Sequence, residues 1–158
     1  MPVVADADLK KAVTERFWVL TDPEMPAISL ADLGVVHAVD VTDGAVRIEL
    51  LPTFLGCPAL DFIRDKVRRD IELLPGVEGV DVRYVYDRPW TTDDVTAEGR
   101  RALRNYGIAP PVAPGEPVPC PYCASTETER SSRFGPAPCR MVYYCNSCRQ
   151  PFEAMKTL

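Results

Sequence analysis

The sequence predicts an α+β protein, built as a small helix-hairpin-helix-strand domain followed by a cysteine-rich β domain. Apolar residues recur at spacings of three and four in some stretches, as in helices, and at every second position in others, as in strands. Prolines crowd residues 110–121, and two Cys-x-x-Cys units follow them. We therefore expect a first domain over 1–112, a proline-rich linker over 113–119 and a metal-binding domain over 120–158.

The composition excludes several classes of protein. The chain has 158 residues, 46% of them hydrophobic and 26% charged, as in folded globular proteins. Its start lacks the apolar core of a signal peptide, and no run approaches the length of a membrane helix, so we expect a cytoplasmic protein with no membrane partner. Residues 118–158 carry five Lys/Arg against three Asp/Glu. Because this is no basic stripe, we expect no nucleic-acid partner.

The elements of the first domain follow from its apolar periodicity. A first helix is predicted over Asp8–Leu20, with Asp6 or Asp8 as its cap. Strands at 35–41 and 46–51 should form a hairpin across Asp43-Gly44, and a third strand should cover 80–86. We expect the helices to pack on one face of a three- or four-stranded sheet.

Cys57 lies in the segment Thr53-Phe54-Leu55-Gly56-Cys57-Pro58, directly before a second predicted helix. That helix is marked by Leu60, Ile63, Val67, Ile71 and Leu74. The unbonded N–H groups and positive dipole end of a helix start favour a thiolate, which acts as a nucleophile or a metal ligand. Asp61 in the first turn opposes this effect. A small buried cysteine that packs as a hydrophobe is the alternative, and position alone leaves both open.

His37 is the single histidine of the chain and lies on the first predicted strand. It could act as a general base for Cys57, although a lone histidine on a strand more often has a structural role. The sequence contains no nucleophile elbow, phosphate loop or dinucleotide fingerprint. We therefore assign no catalytic residue.

Four cysteines near the end of the chain have the spacing of a metal site. Cys120 and Cys123 form one Cys-x-x-Cys unit, and Cys145 and Cys148 form another after 21 intervening residues. Each unit can turn both of its sulfurs toward one ion, so two units complete a tetrahedral site. With short strands predicted at 126–134, 140–144 and 150–155, this is the layout of a zinc ribbon. Zinc is the expected ion, although iron accepts the same ligands. Cys139 falls outside both units and is left as a thiol.

Four motifs between residues 22 and 59 stand out, namely Asp22-Pro23-Glu24-Met25-Pro26, Leu33-Gly34-Val35-Val36, Thr53 and Gly56-Cys57-Pro58-Ala59. Together they resemble the iron–sulfur cluster assembly domain family, formerly called domain of unknown function 59. The resemblance implies an α+β fold with the motif cysteine at the mouth of a small site. Carried over residue by residue, it implies that Cys57, Asp22, Glu24 and Thr53 bind iron or a cluster, or surround a reactive thiol.

A second resemblance covers nearly the whole chain. The segments at 90–93, 99–103, 106–111, 134–136, 138–139 and 151–152 carry it together with both cysteine units. In these segments the chain is similar to the PaaD family, which belongs to the phenylacetyl-CoA epoxidase system. A departure is Ala124, because a glycine often follows the first unit. The resemblance implies a non-catalytic accessory protein of aerobic phenylacetate breakdown. It would help the oxygenase or reductase subunits to acquire iron or an iron–sulfur cluster, with zinc in its ribbon.

The sequence leaves three main functional hypotheses open, and a ribbon that binds nucleic acid stays open as a fourth although the charge pattern disfavours it. In the first, Cys57 binds iron or a cluster transiently, shared across a homodimer because one cysteine cannot complete a cluster's ligation. In the second, the chain is a structural interaction subunit of the oxygenase complex, and Cys57 only packs. In the third, Cys57 is the nucleophile of a hydrolase or transferase and needs His37 as its base.

Overall fold

The computed structural model describes residues 3–53 and 58–157. The chain divides into two compact units, Met1–Trp90 and Thr91–Leu158, and each has a buried apolar core of its own. Helices and sheets occur in both units, which confirms the predicted α+β class. In the part of the chain that the structure describes, no helix has the length and apolar character needed to cross a membrane.

The described residues of the first unit form three helices and five strands. In chain order they are α1 (Asp6–Arg16), β1 (Thr21–Asp22), β2 (Met25–Ser29), α2 (Leu30–Leu33), β3 (Val36–Thr42), β4 (Ala45–Leu50), α3 (Ala59–Glu72) and β5 (Gly79–Tyr84). β4 is the central strand of a three-stranded sheet, with β3 antiparallel on one side and β5 parallel on the other. β1 and β2 form a separate antiparallel pair.

The alternation of side chains along β4 decides which face of the sheet is covered. Val46, Ile48 and Leu50 are at most 2% exposed, whereas the residues between them point to the opposite face. α1 packs against β3 and α3 packs against β5, and an ion pair of 3.0 Å joins Arg16 on α1 to Asp70 on α3. Both helices therefore lie on one face of the sheet, as the sequence predicts.

The first helix differs from its prediction at both ends. It begins at Asp6 and ends at Arg16, four residues before the predicted end. Neither predicted aspartate caps it, because the N-cap residue is Ala5. The carboxylate of Asp6 instead accepts the backbone N–H groups of Asp43 and Gly44, at 2.9 and 3.2 Å. This aspartate therefore ties the start of α1 to the turn between β3 and β4.

The segment 22–26, which contains two prolines, forms the hairpin turn between β1 and β2. Asp22 pairs with Met25 across β1 and β2, and its carboxylate accepts the N–H of Glu24 at 2.8 Å. A side chain that accepts its own backbone two residues on stabilises a turn of this kind. As a result Asp22 is only 6% exposed, which is unusual for a carboxylate.

The described residues of the second unit form one α-helix and a four-stranded sheet. The elements are α4 (Ala97–Asn105), β6 (Ile108–Ala109), β7 (Thr128–Ser132), β8 (Arg140–Cys145) and β9 (Pro151–Met155). The strand order is β6-β9-β8-β7. The pairs β9–β8 and β8–β7 are antiparallel, and β6 joins β9 in parallel.

The division between the units falls between Trp90 and Thr91, earlier than the predicted boundary after residue 112. Pairing between residues distant in sequence explains the difference, because β6 hydrogen-bonds to β9. In addition, Arg100 on α4 donates to the carbonyls of Thr92 and Pro111, both at 2.7 Å. Residues 91–112 therefore belong with the cysteine-rich sheet.

Candidate functional site

Four cysteines of the second unit bring their sulfur atoms together. Cys120 and Cys123 flank a turn before β7, Cys145 ends β8, and Cys148 lies on the turn before β9. Their Sγ atoms all lie within 4.8 Å of one another. The antiparallel pairing of β8 with β9 and with β7 places the two turns side by side. The fold thus joins two cysteine pairs that are separated along the chain.

The distances between these sulfurs fit one metal ion and do not fit disulfide bonds. Cys120 Sγ is 3.7 Å from Cys148 Sγ, and Cys123 Sγ is 3.6 Å from Cys145 Sγ. A disulfide requires about 2.05 Å between its sulfurs. Sulfurs bound at about 2.3 Å to a tetrahedral ion stand about 3.8 Å apart. The four residues therefore form a metal site of closed, tetrahedral type.

The backbone repeats the same geometry in both cysteine turns. In each turn one backbone N–H points to the sulfur of the first cysteine, at 3.4 and 3.5 Å. The residue after each unit, Ala124 or Arg149, adopts a positive φ of 64° or 60°. Its N–H donates to the carbonyl of the first cysteine of its own turn, at 2.9 Å in both cases. Since N–H donors stabilise negative charge on sulfur, each turn is shaped to present thiolates.

The sulfurs also shift one another's protonation. The backbone N–H of Cys148 lowers the pKa of the Cys145 thiol to about 7. Burial, with the neighbouring sulfurs, raises the pKa of the Cys148 thiol to about 12. Thiolates this close repel one another, so some of them keep their protons unless a cation is bound. A divalent ion displaces those protons and offsets the charge of the remaining thiolates.

A small apolar cluster supports the four sulfurs. Val118, Phe152 and Ala154 are buried together with Cys120 and Cys145. The ring of Tyr143 stacks on that of Phe152 with centroids 5.7 Å apart. A cluster of this size supplies little of the free energy that a folded domain needs, so metal binding must contribute to folding.

Cys139 lies apart from the metal site. It is 7% exposed and interacts with the guanidinium of Arg140. Within the described residues, the cysteine cluster has four members and does not include it. Cys139 is therefore a buried thiol directly before β8.

In the first unit, Asp22 and Thr53 line a common cavity of about 10 Å³, the room that a single water molecule needs. Most of the other walls are apolar, formed by Leu30, Leu33, Val35, Leu50, Leu51, Leu60 and Ile63, with Tyr84 completing the lining. Because Leu60 and Ile63 belong to the first turns of α3, the cavity lies against the start of that helix. The fold thus brings together two of the predicted site residues.

The other two predicted site residues are Glu24 and Cys57. Glu24 is half-buried on the turn between β1 and β2 and does not line the cavity. Cys57 falls within residues 54–57, outside the described residues. The described chain stops at Thr53 and resumes at Pro58, the N-cap residue of α3. The role of Cys57 accordingly stays a prediction.

Tyr84 is a member of the cavity wall that the sequence did not single out. Its hydroxyl donates to the carbonyl of Leu60 at 2.8 Å, which fixes the first turn of α3 to β5. The alternation through Val80, Val82 and Tyr84 indicates a common face for these residues. What the pattern could not reveal is the parallel pairing that sets Tyr84 beside Leu50.

Two protein families match the chain. The PaaD zinc beta ribbon domain matches residues 111–156, a range that holds all four cysteines of the metal site. The iron-sulfur cluster assembly protein family matches residues 10–82, a range that holds Asp22, Thr53 and Cys57. The two matches thus fall on the two candidate sites separately.

Individual proteins extend these matches. The chain is 38% identical over 146 residues to an Escherichia coli protein provisionally named as one of the subunits of 1,2-phenylacetyl-CoA epoxidase, covering 88% of this chain and 87% of that protein. A Porphyromonas gingivalis protein named Fe-S protein maturation auxiliary factor is 38% identical over 83 residues, covering 52% of this chain and 78% of its own. A crystal structure of a domain of unknown function 59 from Bacillus anthracis matches with a TM-score of 0.58 at 22% identity, covering 62% of this chain and 93% of that one. This structural likeness supports the α+β fold.

Proposed function

Because the chain belongs to the PaaD family of the phenylacetyl-CoA epoxidase system, we propose that it assists iron or iron–sulfur cluster assembly for a phenylacetyl-CoA ring oxygenase. The observation that carries this proposal is the combination of a cluster-assembly domain and a four-cysteine metal site on one chain. Relatives of its first part are named Fe-S protein maturation auxiliary factors. In this proposal the protein is a cytoplasmic accessory factor and turns over no substrate itself.

Cys57 is the proposed ligand for the iron or cluster that is the cargo. It precedes the N-cap residue of α3, where a helix start favours the thiolate that binds iron. Asp22 supports an exchange site there, because its buried carboxylate shares a cavity with Thr53. In the proposal Asp22 and Glu24 supply oxygen ligands while iron passes to or from the thiolate.

Zinc is the proposed resident metal of the second unit. The four sulfurs of Cys120, Cys123, Cys145 and Cys148 are the donor set of structural zinc sites. Four protein ligands leave no open position for a reacting water, so zinc would contribute folding free energy rather than catalysis. With the sheet held in place, the second unit offers a surface that an oxygenase or reductase protein can bind.

Transfer of a cluster requires ligands beyond Cys57. A two-iron or four-iron cluster is held by four ligands, and Cys57 is the single cysteine of residues 1–90. We propose that a second copy of the chain or the recipient protein supplies the others. Shared ligation of this kind holds the cargo weakly enough to release it.

The test measures the iron content of oxygenase and reductase subunits purified from cells that produce wild-type chain, Cys57→Ser or Cys139→Ser. We expect Cys57→Ser to reduce their iron to the level seen without this chain, and Cys139→Ser to match wild type. Full iron loading with Cys57→Ser would refute the transfer role. If that variant also co-purified at fixed stoichiometry with undiminished activity, the structural-subunit alternative would be correct.

A further inference from the structure

We propose that His37, Glu49 and Asp87 form a second metal site, suited to a divalent first-row transition-metal ion such as Zn²⁺ or Fe²⁺. The site lies on the face of the three-stranded sheet opposite to α1 and α3. It shares no residue with the four-cysteine cluster or with the cavity of Asp22. The inference rests on the geometry of these three side chains and is independent of the proposed function.

The sheet brings the three residues together from distant positions. His37 lies on β3, Glu49 lies on β4, and Asp87 follows β5. One ligand atom of each lies within 4.8 Å of the others. The Nε2 atom of His37 is 3.3 Å from an Oδ atom of Asp87. Ligand atoms around one ion stand about 3–3.5 Å apart when bonds are about 2.1 Å, so modest side-chain rotation would close the site.

A bulge in β3 explains why His37 points to this face. The pairing register steps from Val36 opposite Leu50 to Ala38 opposite Glu49, which leaves His37 as the extra residue. In a β-bulge two residues oppose one on the partner strand, and the side chain of the extra residue is re-aimed. Continued alternation from residues 38–42 would have turned His37 toward the helices. The bulge instead sets the imidazole beside Glu49.

The carboxylate of Glu49 is available for a cation. It makes no hydrogen bond or ion pair with the described part of the chain, although Arg83 is its neighbour in the parallel register. Arg83 is paired with Asp81 instead. Since Glu49 and His37 are each half-buried, the negative charge of the cluster is less screened than on an open surface.

The ligand set selects a class of ion. A neutral imidazole with two carboxylates has a charge of −2, which one divalent cation balances. Imidazole favours zinc, iron and other late first-row metals over Mg²⁺ and Ca²⁺, while carboxylates accept all of them. Three protein ligands leave the remaining coordination positions to water or to a group from a partner. The site is therefore of open type, unlike the closed four-sulfur site.

His37 provides a direct reporter, because it is the single histidine of the chain. Full-length protein with zinc already bound to its four cysteines, carrying Cys57→Ser to remove a competing thiol, is titrated with Zn²⁺ while the imidazole NMR signals are followed. We expect those signals to shift and to saturate at one further equivalent. Glu49→Gln should weaken this binding at least tenfold, as should Asp87→Asn.

Asp40→Asn is the matched control, since Asp40 lies on the same strand and pairs with Lys10 at 3.9 Å instead of joining the cluster. Its affinity for Zn²⁺ should equal that of the parent protein. Amide spectra establish that each variant is folded, and Asp87→Asn replaces Glu49→Gln if the latter unfolds. The proposal is overturned if the imidazole signals do not move, or if the cluster variants and Asp40→Asn bind Zn²⁺ equally.

Discussion

Ala124 and Arg149 occupy equivalent places in the two cysteine turns, and both adopt a left-handed backbone. This conformation costs a residue with a side chain about 1–2 kcal/mol. Glycine adopts it freely but loses about 0.5–1 kcal/mol more chain entropy on folding. The metal site therefore holds two strained residues, each next to a ligand.

Replacement of Ala124 by glycine should strengthen the metal site. We expect Ala124→Gly to raise the free energy of metal-linked folding by about 0.5–1 kcal/mol, the difference between the two costs above. The measurement is competition with a zinc chelator, in which the apparent affinity should rise about two- to fivefold. Ala113→Gly is the control, because that exposed alanine has a negative φ and should gain nothing. Equal behaviour of the two variants would contradict the strain argument.

Arg140 and Glu153 form an ion pair of 2.6 Å between β8 and β9, with the arginine side chain only 11% exposed. Burial disfavours the charged guanidinium, but the hydrogen bonds and charges of Glu153 and Cys139 together outweigh it and raise the pKa of Arg140 above its ordinary value. Its buried Nε has no hydrogen-bond partner among the described residues. The second unit thus depends on Glu153 to keep a buried charge compensated.

Removal of Glu153 should destabilise the second unit more than removal of the whole pair. We expect Glu153→Ala to cost about 3 kcal/mol, because it leaves Arg140 charged and buried. In the double variant Arg140→Met, Glu153→Leu, apolar packing should restore most of this loss. Denaturant unfolding of the metal-loaded protein measures both. A double variant as unstable as Glu153→Ala would show that the unpaired charge is not the cause.

At the scale of single elements, α1 is anchored by a side chain rather than by a helix cap. Asp6 accepts two backbone N–H groups from the turn between β3 and β4. Gly44 in that turn has a φ of 78°, so the turn is tight and presents its N–H groups outward. A carboxylate satisfies such donors with charge-assisted bonds. The start of the helix and the hairpin therefore stabilise each other.

A comparison of two aspartates in the first turn of α1 tests this link. Asp6→Ala should lower the free energy of unfolding of the first unit by about 1–2 kcal/mol, through loss of bonds to backbone donors. Asp8→Ala is the matched control, because both aspartates face the same helix dipole and Asp8 is exposed. Urea denaturation compares them. Equal losses in the two variants would indicate that the dipole, and not the turn, explains the effect.

Elements with a strong local pattern could be predicted from the sequence. α3 was predictable because its apolar residues Ile63, Val67 and Ile71 are all buried on one stripe. The hairpin of β3 and β4 was predictable because Asp43-Gly44 suits a tight turn and both residues adopt positive φ. The two Cys-x-x-Cys units were also predictable, because the spacing of the cysteines within each unit is visible in the local sequence.

Features that depend on contacts distant in sequence could not be predicted in this way. β1 and β6 have two residues each, too few to show any period, and exist only through their partners. The burial of Asp22 arises from pairing with β2, and the cluster around His37 arises from a bulge. Asp22 and Thr53 were assigned to one site through the family resemblance alone, because no local pattern connects residues that are 31 positions apart.

For the whole molecule, the two units depend on different sources of stability. The first unit has an apolar core between helices and sheet, with Leu9, Val13, Ile48 and Val67 at most 1% exposed. The second unit surrounds a metal site with a small apolar cluster. Binding of a structural zinc ion contributes about 10–16 kcal/mol in small domains. Removal of the metal should therefore affect the units unequally.

Chelation should unfold the second unit and leave the first one folded. We expect amide hydrogen exchange in β8 and β9 of the full-length chain to accelerate by several orders of magnitude after metal removal, while β4 and α3 keep their protection. Cys120→Ser should reproduce this pattern, and Cys139→Ser, outside the metal site, should not. Uniform loss of protection over both units would show that they fold as one cooperative body.

Anaerobic metal analysis with visible spectroscopy tests most directly the proposal that Cys57 holds the cargo iron while the four cysteines of the second unit hold resident zinc. Wild type, Cys57→Ser and Cys120→Ser are compared after exposure to ferrous iron and sulfide. We predict that iron absorbance disappears in Cys57→Ser alone and that zinc disappears in Cys120→Ser alone. Undiminished iron absorbance in Cys57→Ser, or its loss in Cys120→Ser, would contradict the account.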